Sequence, residues 1–429
     1  MGRIGASGLI NWGGPGTRVT RLELFYDLIF VFAFLNVTSV TGSNLRMRGL
    51  LEALLVLALL WWCWTGFVTI GNSVRADSGV MPIIGFCLVA AIFVLALSAA
   101  GAFHDIPGGL YGPWLFAVAY LITWLLKTAT MWTVAMLEHT PVLPTLLLIG
   151  PALISAAIVL LAAAVPQRVA PEGVAQNVRL GLWVIALLFE YLGGLLVGRT
   201  GWYLRSAGHA AERHALIVLV ALGESVIALG VGASARPGQP LTLPIVFAAV
   251  LGVGVIAGLW WLYFDWIPLA VEQKLHGIRG PERLPVARDI YSYLHLPLVV
   301  GIILFALGLN QVLAVVSPAR GGADGALGPA TLYGGVSLFL LALAAIELRG
   351  LRRLDRVLLA AAVLVVALIP AAYRLSALAA LALLAGVVVA VVLVQLWATW
   401  TLRGTVRAVA VDEQTAMEAE ANRWRAQHL

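Results

Sequence analysis

The sequence contains little charge and almost no cysteine. Only 11% of its 429 residues are Asp, Glu, Lys or Arg, whereas 61% are hydrophobic and the mean hydropathy is +0.97. Soluble domains carry about 25% charged residues, so this composition excludes a soluble globular protein. The two cysteines, Cys63 and Cys87, both lie in apolar stretches, which excludes a disulfide framework and a cysteine-based metal centre. The chain has the composition of a polytopic membrane protein.

Familiar catalytic signatures are also lacking. The sequence has no zinc-ligand spacing, Walker loop, nucleophile elbow or dinucleotide fingerprint. Gly252, Gly254 and Gly258 lie inside an apolar stretch, where small residues favour helix packing. We therefore expect no catalytic residue that a motif identifies, no metal and no cofactor. The net charge of +6 is explained better by membrane topology than by a nucleic-acid partner.

Long apolar stretches predict the fold. A membrane-spanning helix needs about 20 residues, and about twelve stretches reach that length. These stretches lie near residues 22–41, 50–71, 81–101, 111–137, 144–165, 179–199, 214–234, 243–268, 291–316, 331–350, 354–372 and 375–401. We predict an all-α membrane bundle of about twelve spans, with eleven as the alternative count.

Basic residues predict the orientation of this bundle. If the N-terminus is inside, the inner segments hold 19 of the 27 basic residues, the outer segments hold seven, and Lys127 lies within the fourth stretch. Because inner loops of membrane proteins are enriched in Lys and Arg, both termini should be cytoplasmic. We expect a membrane-embedded protein with the bilayer as its main partner.

Short echoes indicate an internal duplication. Tyr111-Gly112 in the fourth stretch is echoed by Tyr333-Gly334 in the tenth, and Trp61-Trp62 in the second by Trp260-Trp261 in the eighth. Each pair is six helices apart, and an even offset gives both halves the same orientation. We predict a cytoplasmic segment 1–20, parallel six-helix repeats at 21–205 and 206–402, and a charged cytoplasmic helix at 403–429.

Two carboxylates open the first predicted helix. Glu23 and Asp27 are four residues apart, so they share one helix face. A charge at the centre of a bilayer costs about 2.5–3.5 kcal/mol on insertion scales, and buried charges are seldom without a function. We interpret these acids as a polar site near the inner mouth of the bundle, with Arg21 and Arg213 balancing their charge.

A further acid lies deep in the seventh predicted helix. Arg213 and Glu224 are eleven residues apart and share a face, because that spacing leaves about 20° of rotation. Glu224 lies roughly 16 Å farther along the helix, near the bilayer middle. We predict that Glu224 is the central functional acid. The alternative is a carboxyl group that only ties helices together.

Other polar residues extend the candidate site. Asp265 ends the eighth predicted helix, and Asp289 and His295 open the ninth, where His295 could relay protons. An interfacial aromatic belt and a headgroup contact are the alternatives there. Lys127 could pair with Glu190 or Glu224, or extend to the interface. The candidate pathway or ligand-binding residues are Glu23, Asp27, Glu190, Glu224, Asp265, Asp289 and His295, with Arg21, Arg213 and Lys127 balancing charge.

These segments together resemble one known family. The combination is similar to the hallmark segments of the bacterial low temperature requirement A (LtrA) family, and the resemblance covers nearly the whole chain. It implies a multispan membrane protein of the bacterial cytoplasmic (inner) membrane, without a settled substrate. The segments that carry it are Glu23-Leu24-Phe25-Tyr26-Asp27, Glu212-Arg213-His214 after His209, Gly223-Glu224-Ser225, Trp260-Trp261 with Asp265, and Tyr291, Tyr293 and His295.

A fainter resemblance concerns the first helix alone. Arg21, Phe25 and Asp27 are similar to the Arg-x-x-x-Phe-Ser-Asp signature of the lysosomal potassium channel family, with Tyr26 in place of Ser. Those channels are also built from six-helix repeats. The seventh helix has Arg213 but lacks the Phe-x-Asp that should follow it. The resemblance therefore implies channel function as one alternative.

Three classes of function remain open at this point. The first is a transporter or channel for a small cation, a proton or a polar solute, which these acids would line. The second is an intramembrane enzyme for a lipid or prenyl substrate, in which His295 and the acids act as general acid and base and Trp61, Trp62, Trp260 and Trp261 wall an apolar pocket. The third is a structural or sensory protein. A lipid ligand and a homodimer also remain open.

Overall fold

The computed structural model describes residues 10–13, 17–42, 45–105, 107–169, 171–197, 204–233, 241–278, 282–317 and 327–428. Helices make up 86% of the structure. Within the described residues there is no β-strand, and one isolated bridge joins Trp12 to Val74. The all-α prediction is therefore confirmed.

The helices are numbered in chain order. They are α1 (Arg21–Gly42), α2 (Met47–Ser73), α3 (Met81–Leu97), α4 (Gly112–Leu137), α5 (Val142–Ala164), α6 (Pro166–Val169), α7 (Glu172–Val197), α8 (Ala207–Ala233), α9 (Leu243–Phe264), α10 (Ile267–Gly277), α11 (Arg283–Arg288), a π-helical turn (Asp289–Leu294), α12 (His295–Val316), α13 (Gly328–Leu351), α14 (Arg356–Ala367), α15 (Ile369–Ala372), α16 (Ala377–Ala398) and α17 (Trp400–His428).

Multi-pass membrane character follows from these lengths. In the described part of the chain, nine helical segments are long and apolar enough to cross a membrane. The other three predicted stretches fold as α1, whose first two turns carry three charged residues, and as the shorter apolar helices Met81–Leu97 and Arg356–Ala372. The predicted cytoplasmic helix at 403–429 is part of α17, and most of the predicted segment 1–20 lies outside the described residues.

Local sequence signals explain where several helices begin. Asp355 accepts hydrogen bonds from the backbone nitrogens of Val357 and Leu358, at 2.9 and 3.0 Å, and so caps α14. Ser376 caps α16 in the same way through the nitrogen of Ala379. Proline occupies the first turn of α3, α4, α9 and α13, where its missing N–H removes no helical hydrogen bond.

Helices α12 and α13 pack with their backbones in close contact. A Cβ atom added to Gly301 would lie 2.7 Å from the carbonyl oxygen of Gly335, and one added to Gly335 would overlap the backbone nitrogen of Phe305. Small residues allow membrane helices to approach until their backbones touch, which increases van der Waals contact between them. This contact anchors α12, which carries His295.

Replacing Gly335 with Ala should therefore destabilise the protein. The added methyl group overlaps backbone atoms of α12, and overpacking of this kind costs about 1–3 kcal/mol. The neighbouring Gly334 is the matched control, because a Cβ atom there meets nothing within 4 Å. Thermal unfolding of the purified protein in detergent should show a lower Tm for Gly335→Ala than for Gly334→Ala. Equal Tm values would contradict the tight α12–α13 contact.

Candidate functional site

A capping box begins α1 and places its first acid. The hydroxyl and the backbone nitrogen of Thr20 both donate to Oε2 of Glu23, at 2.9 and 2.8 Å, and the Thr20 hydroxyl accepts from the backbone nitrogen of Glu23 at 3.3 Å. This reciprocal pattern satisfies helix donors that would otherwise lack partners. It leaves Oε1 of Glu23 free to face α8.

Helices α1 and α8 are parallel and joined by three polar contacts, which we call the three rungs. Nε2 of His209 lies 2.9 Å from Oε1 of Glu23, Nη2 of Arg213 lies 2.7 Å from Oδ1 of Asp27, and the Thr38 hydroxyl lies 2.6 Å from Oε1 of Glu224. Every rung joins residues that are 186 positions apart. A constant offset requires two parallel helices in fixed register. We call the end where both helices begin the lower end of the bundle.

The first rung is extended by α2, which runs the opposite way and ends at the lower end. Nδ2 of Asn72 lies 3.5 Å from Nδ1 of His209 and donates to the carbonyl oxygen of Ser206 at 2.8 Å. From these contacts we assign the tautomer of His209 in which Nδ1 accepts from Asn72 and Nε2–H donates to Glu23. Glu23 also lies 3.4 Å from Nη1 of Arg213. The side chains of Asn72, His209, Glu23 and Arg213 thus form one buried network.

The second rung is a fully buried ion pair. Oδ1 of Asp27 accepts from Arg213 and from the indole N–H of Trp64, the latter at 2.9 Å. The guanidinium group of Arg213 lies 5.5 Å from the ring centroid of Phe67. Oδ2 of Asp27 and Nε of Arg213 have no hydrogen-bond partner among the described residues. The two charges therefore neutralise each other, but the pair retains polar atoms without a hydrogen bond.

An apolar stretch separates the second rung from the third. Helical spacing places Phe30 and Phe34 of α1, and Ile217 and Ala221 of α8, on the faces that carry the rungs. All four are buried in the main hydrophobic core. The seam between α1 and α8 is thus polar at its lower end, apolar in its middle and polar again at Glu224.

Glu224 differs from the lower acids because its described surroundings hold no cation. Its Oε1 contacts Thr38, and Oε2 is buried without a hydrogen-bond partner among the described residues. The ion pairs of those residues do not include Glu224. Helix α8 begins seven residues earlier than the predicted stretch, so Glu224 lies about two-thirds along it rather than at its middle.

An aromatic cluster adjoins the second rung. The ring of His214 lies 4.8 Å from Trp64, 4.6 Å from Tyr291 and 5.2 Å from His295, measured between centroids. His295 contacts the hydroxyl of Tyr263 through Nε2 and the carbonyl oxygen of Ile290 through Nδ1, both at 2.8 Å. The π-helical turn that carries Tyr291 is held by the indole of Trp61, which donates to the Ser292 carbonyl oxygen at 2.7 Å.

Two predicted pathway acids lie apart from the rungs in ion pairs. Asp265 contacts Arg403 and Arg407 of α17. Asp289 contacts Arg288 at 2.6 Å and Arg349 at 2.8 Å. These contacts tie α9 to α17 and the π-helical turn to α13. His295 likewise faces Tyr263 rather than a carboxylate.

The remaining predicted residues have different surroundings. Arg21 is exposed and belongs to no ion pair among the described residues. The ion-pair partners of Glu23 are His209 and Arg213 instead. An open pocket of about 940 Å³ at the lower end reaches Glu23 and His209 and is also lined by Arg18, Arg21 and Arg75. Lys127 and Glu190 line a separate cavity and neither forms an ion pair with Glu224.

Several site residues were missed from the sequence. Thr38, Trp64, His209 and His214 contact predicted residues, and Asn72 contacts His209, but none of the five was among the candidates. One available signal was the spacing of His209 and Arg213, which is four residues, as for Glu23 and Asp27. Two basic residues on one helix face match two acids on another, and this match predicts that the helices are neighbours.

Comparisons with known proteins agree with the sequence resemblance. The sequence profile described as bacterial low temperature requirement A protein (LtrA) matches residues 18–393. The chain belongs to the LtrA family. The matched LtrA region contains all three rungs and the aromatic cluster. An uncharacterized protein of Rhizobium meliloti (strain 1021), RA0937, is 26% identical over 337 residues, which cover 70% of each chain. No solved structure matches this LtrA-family chain.

A double-mutant cycle should show strong coupling across the second rung. Arg213→Gln strands a buried carboxylate, and breaking a buried pair costs about 3–5 kcal/mol, whereas removing both charges costs less. We expect the double variant Asp27→Asn with Arg213→Gln to unfold at a higher temperature than Arg213→Gln alone. Arg18→Gln is the control, because its contact with Glu272 is exposed on the arginine side and should contribute under about 1 kcal/mol. Additive losses in the double variant would contradict a paired second rung.

Proposed function

We propose that this LtrA-family protein is a transporter or channel that carries a small cation, a proton or a polar solute along the seam between α1 and α8. The seam provides an open pocket at its lower end, two charged rungs, an apolar constriction and a deep acid. The proposal depends most on Glu224, because a buried carboxyl with no cation beside it among the described residues is costly unless it binds something or gains a proton.

The lower rungs suit the mouth of such a pathway. Glu23 and His209 are buried at the inner end of the open pocket, so a solute that enters past Arg18, Arg21 and Arg75 reaches them next. Asp27 and Arg213 neutralise each other directly above. A polar solute can bind to Asp27 and Arg213 in place of their contact with each other, so that neither charge is left unpaired. This lowers the free-energy cost of moving the solute into a low-dielectric region.

On this proposal, the apolar stretch is the closed constriction of the pathway. Phe30, Phe34, Ile217 and Ala221 are at most 2% exposed, which leaves no polar contact between the second rung and Glu224 along these faces. Transport would require α1 and α8 to move apart or slide at this constriction. Hydrophobic constrictions that open in this way are a common gating element in membrane channels.

We further propose twelve spans arranged as two parallel six-helix repeats. Helix α1 packs against α2 and α3, and α8 packs against α9 and α12; α5 packs on α4 and α7, and α14 packs on α13 and α16. The same order of contacts in both halves supports duplication. A twofold axis along the seam would place equivalent residues of the two repeats opposite one another. The rungs agree with such an axis, because they join residues at one constant offset.

Flux through liposomes tests the role of Glu224. We expect Glu224→Gln to insert and fold but to lose most of its flux or its pH dependence, because Gln keeps the size and hydrogen bonding but not the charge. The assay should compare a panel of monovalent cations, protons and small polar solutes. Glu347→Gln is the control, since Glu347 is also buried but pairs with Arg353 at the end of α13, away from the seam. Wild-type flux in Glu224→Gln, with intact expression, would overturn the proposed pathway.

Reporter fusions test the proposed orientation. Because the basic residues are concentrated on one side, we expect both termini to face the cytoplasm of a bacterial cell. A cytoplasm-active reporter and a periplasm-active reporter should be fused before residue 1 and after residue 429. Cytoplasmic signal at both positions is expected. Signals on opposite sides would contradict an even number of spans.

A further inference from the structure

A second buried polar site lies outside the seam, in a cavity of about 50 Å³ between α2, α4, α5 and α7. Lys127 and Glu190 both line this cavity, and their exposed fractions are 3% and 1%. Within the described residues, no carboxylate lies within ion-pair distance of Lys127. A buried cation and a buried acid therefore face one cavity without direct contact.

The backbone around Lys127 is shaped to accommodate its ammonium group. Nζ lies 3.3 Å from the centroid of the Trp124 ring, a cation–π contact. A Cβ atom on Gly66 would overlap Nζ, and one on Gly194 would lie 2.8 Å from the Trp62 ring. Glycine at position 66 leaves space that the ammonium group occupies, so Lys127 ends at the cavity and does not extend to the membrane interface.

Unused hydrogen-bonding atoms surround the same cavity. Oε1 of Glu190 accepts from the hydroxyl of Tyr120, which also lies 3.2 Å from the Ser155 hydroxyl. Oε2 of Glu190, the indole N–H of Trp124 and the hydroxyl of Thr128 have no hydrogen-bond partner among the described residues. The cavity thus presents donors on the side of α4 and an acceptor on the side of α7.

This set of groups fits water better than an ion. A water molecule accepts from an ammonium or indole N–H and donates to a carboxylate, so it can satisfy both sides at once. A cation would face Lys127, and an anion would face Glu190. A volume of about 50 Å³ exceeds the roughly 10–15 Å³ that one water requires.

A similar cavity lies on the other face of α2. It also has a volume of about 50 Å³, and it is lined by Asn72, His214 and Tyr291. Nε2 of His214 and the hydroxyl of Tyr291 are buried without partners among the described residues. Thr65 and Thr69 line both cavities. Their hydroxyl groups donate to carbonyl oxygens of α2 itself, at 3.0 and 2.9 Å, and their remaining lone pairs can accept a hydrogen bond from water.

The second cavity is near the lower end of the bundle. Asn72, in its lining, contacts His209, and His209 lines the open pocket of the first rung. Polar groups therefore run from the open pocket through Asn72 and the threonines of α2 to Lys127 and Glu190. This route leaves the seam below its apolar constriction.

We propose that Lys127 and Glu190 form a buried proton-exchange site, supplied from the lower end by water in the two cavities on either side of α2. The site lies away from the seam, so the inference goes beyond the proposed pathway and does not depend on flux through it. Other titratable groups near the pair are Cys63 on α2, Tyr120 on α4 and Tyr191 on α7. Helix α5 contributes Ser155, which does not titrate.

The proton step is balanced at the pair itself. With Glu190 ionised and Lys127 protonated, the pair is neutral and water bridges it. When a proton arrives through the water, the bridging molecule donates one proton to Oε2 of Glu190 and accepts another from the neighbouring water. The site then holds a neutral carboxyl group and an ammonium ion, and it has gained one positive charge.

Infrared difference spectroscopy of the full protein in liposomes tests this site directly. As pH falls, we expect a band from a buried protonated carboxyl group to appear. Glu190→Gln should remove this band and Glu224→Gln should retain it. Tyr120→Phe, a conservative change, should shift the band by removing the hydrogen bond to Oε1. A spectrum in which both Glu190→Gln and Tyr120→Phe match the wild type would overturn the proposal.

The water route has its own readout in the same experiment. After transfer to D₂O, Thr65→Val and Thr69→Val should slow deuterium exchange of the Glu190 band, because each replaces a hydroxyl in the connection by a methyl group. Thr133→Val is the matched control, since its exposed hydroxyl contacts only the Ala129 carbonyl oxygen of its own helix. Unchanged exchange in both α2 variants would overturn the route. Flux is not measured, so failure of the α1–α8 pathway leaves this result intact.

Discussion

Asp27 and Arg213 are both removed from water, and each is tolerable only because the other lies 2.7 Å away. Leaving one of them unpaired costs about 3–5 kcal/mol, which is a large fraction of the roughly 5–15 kcal/mol by which native proteins are stable. Two helices that are far apart in the chain must therefore be neighbours, parallel and in one register. That register then places Glu23 against His209 and Thr38 against Glu224. The side chains of α2 complete the arrangement, since Trp64 donates to Oδ1 of Asp27 and Asn72 contacts Nδ1 of His209.

The sequence was sufficient to predict the helical class and much of the polar seam. Periodicity placed Glu23 with Asp27 and Arg213 with Glu224, because a spacing within one helix depends only on helix geometry. Hydropathy failed at the start of α8. Its first turns carry His209, Glu212 and Arg213, which appear soluble in a hydropathy reading, yet they are buried or half-buried because α1 and its leading segment provide partners. Burial of such residues depends on tertiary contacts, which the sequence order does not reveal.

Asp265 and Asp289 show the converse difficulty. Each ends or begins a helix at a place where a pathway acid is expected, and each lies in an ion pair with arginines distant in the chain. Arg403 and Arg349 were interpreted only as inner-side charges, since a charge count identifies the side of a membrane but not the partner. Thr38 was similarly hidden, because a threonine in an apolar helix is ordinarily satisfied by its own backbone. Its contact with Glu224 follows from the register that the charged rungs impose.

The parallel arrangement of α1 and α8 also has an electrical consequence. Each helix carries a partial positive charge, about half an elementary charge, at its N-terminus. Because both helices begin at the lower end, these two partial charges add there instead of cancelling, as they would in an antiparallel pair. A cation approaching from that end would meet a repulsive field, and an anion an attractive one. Glu23, in the first turn of α1, opposes this field at its source. Arg18, Arg21 and Arg75 line the same pocket and add to the field of the helix ends, so a solute first meets a positive potential that Glu23 opposes from deeper inside.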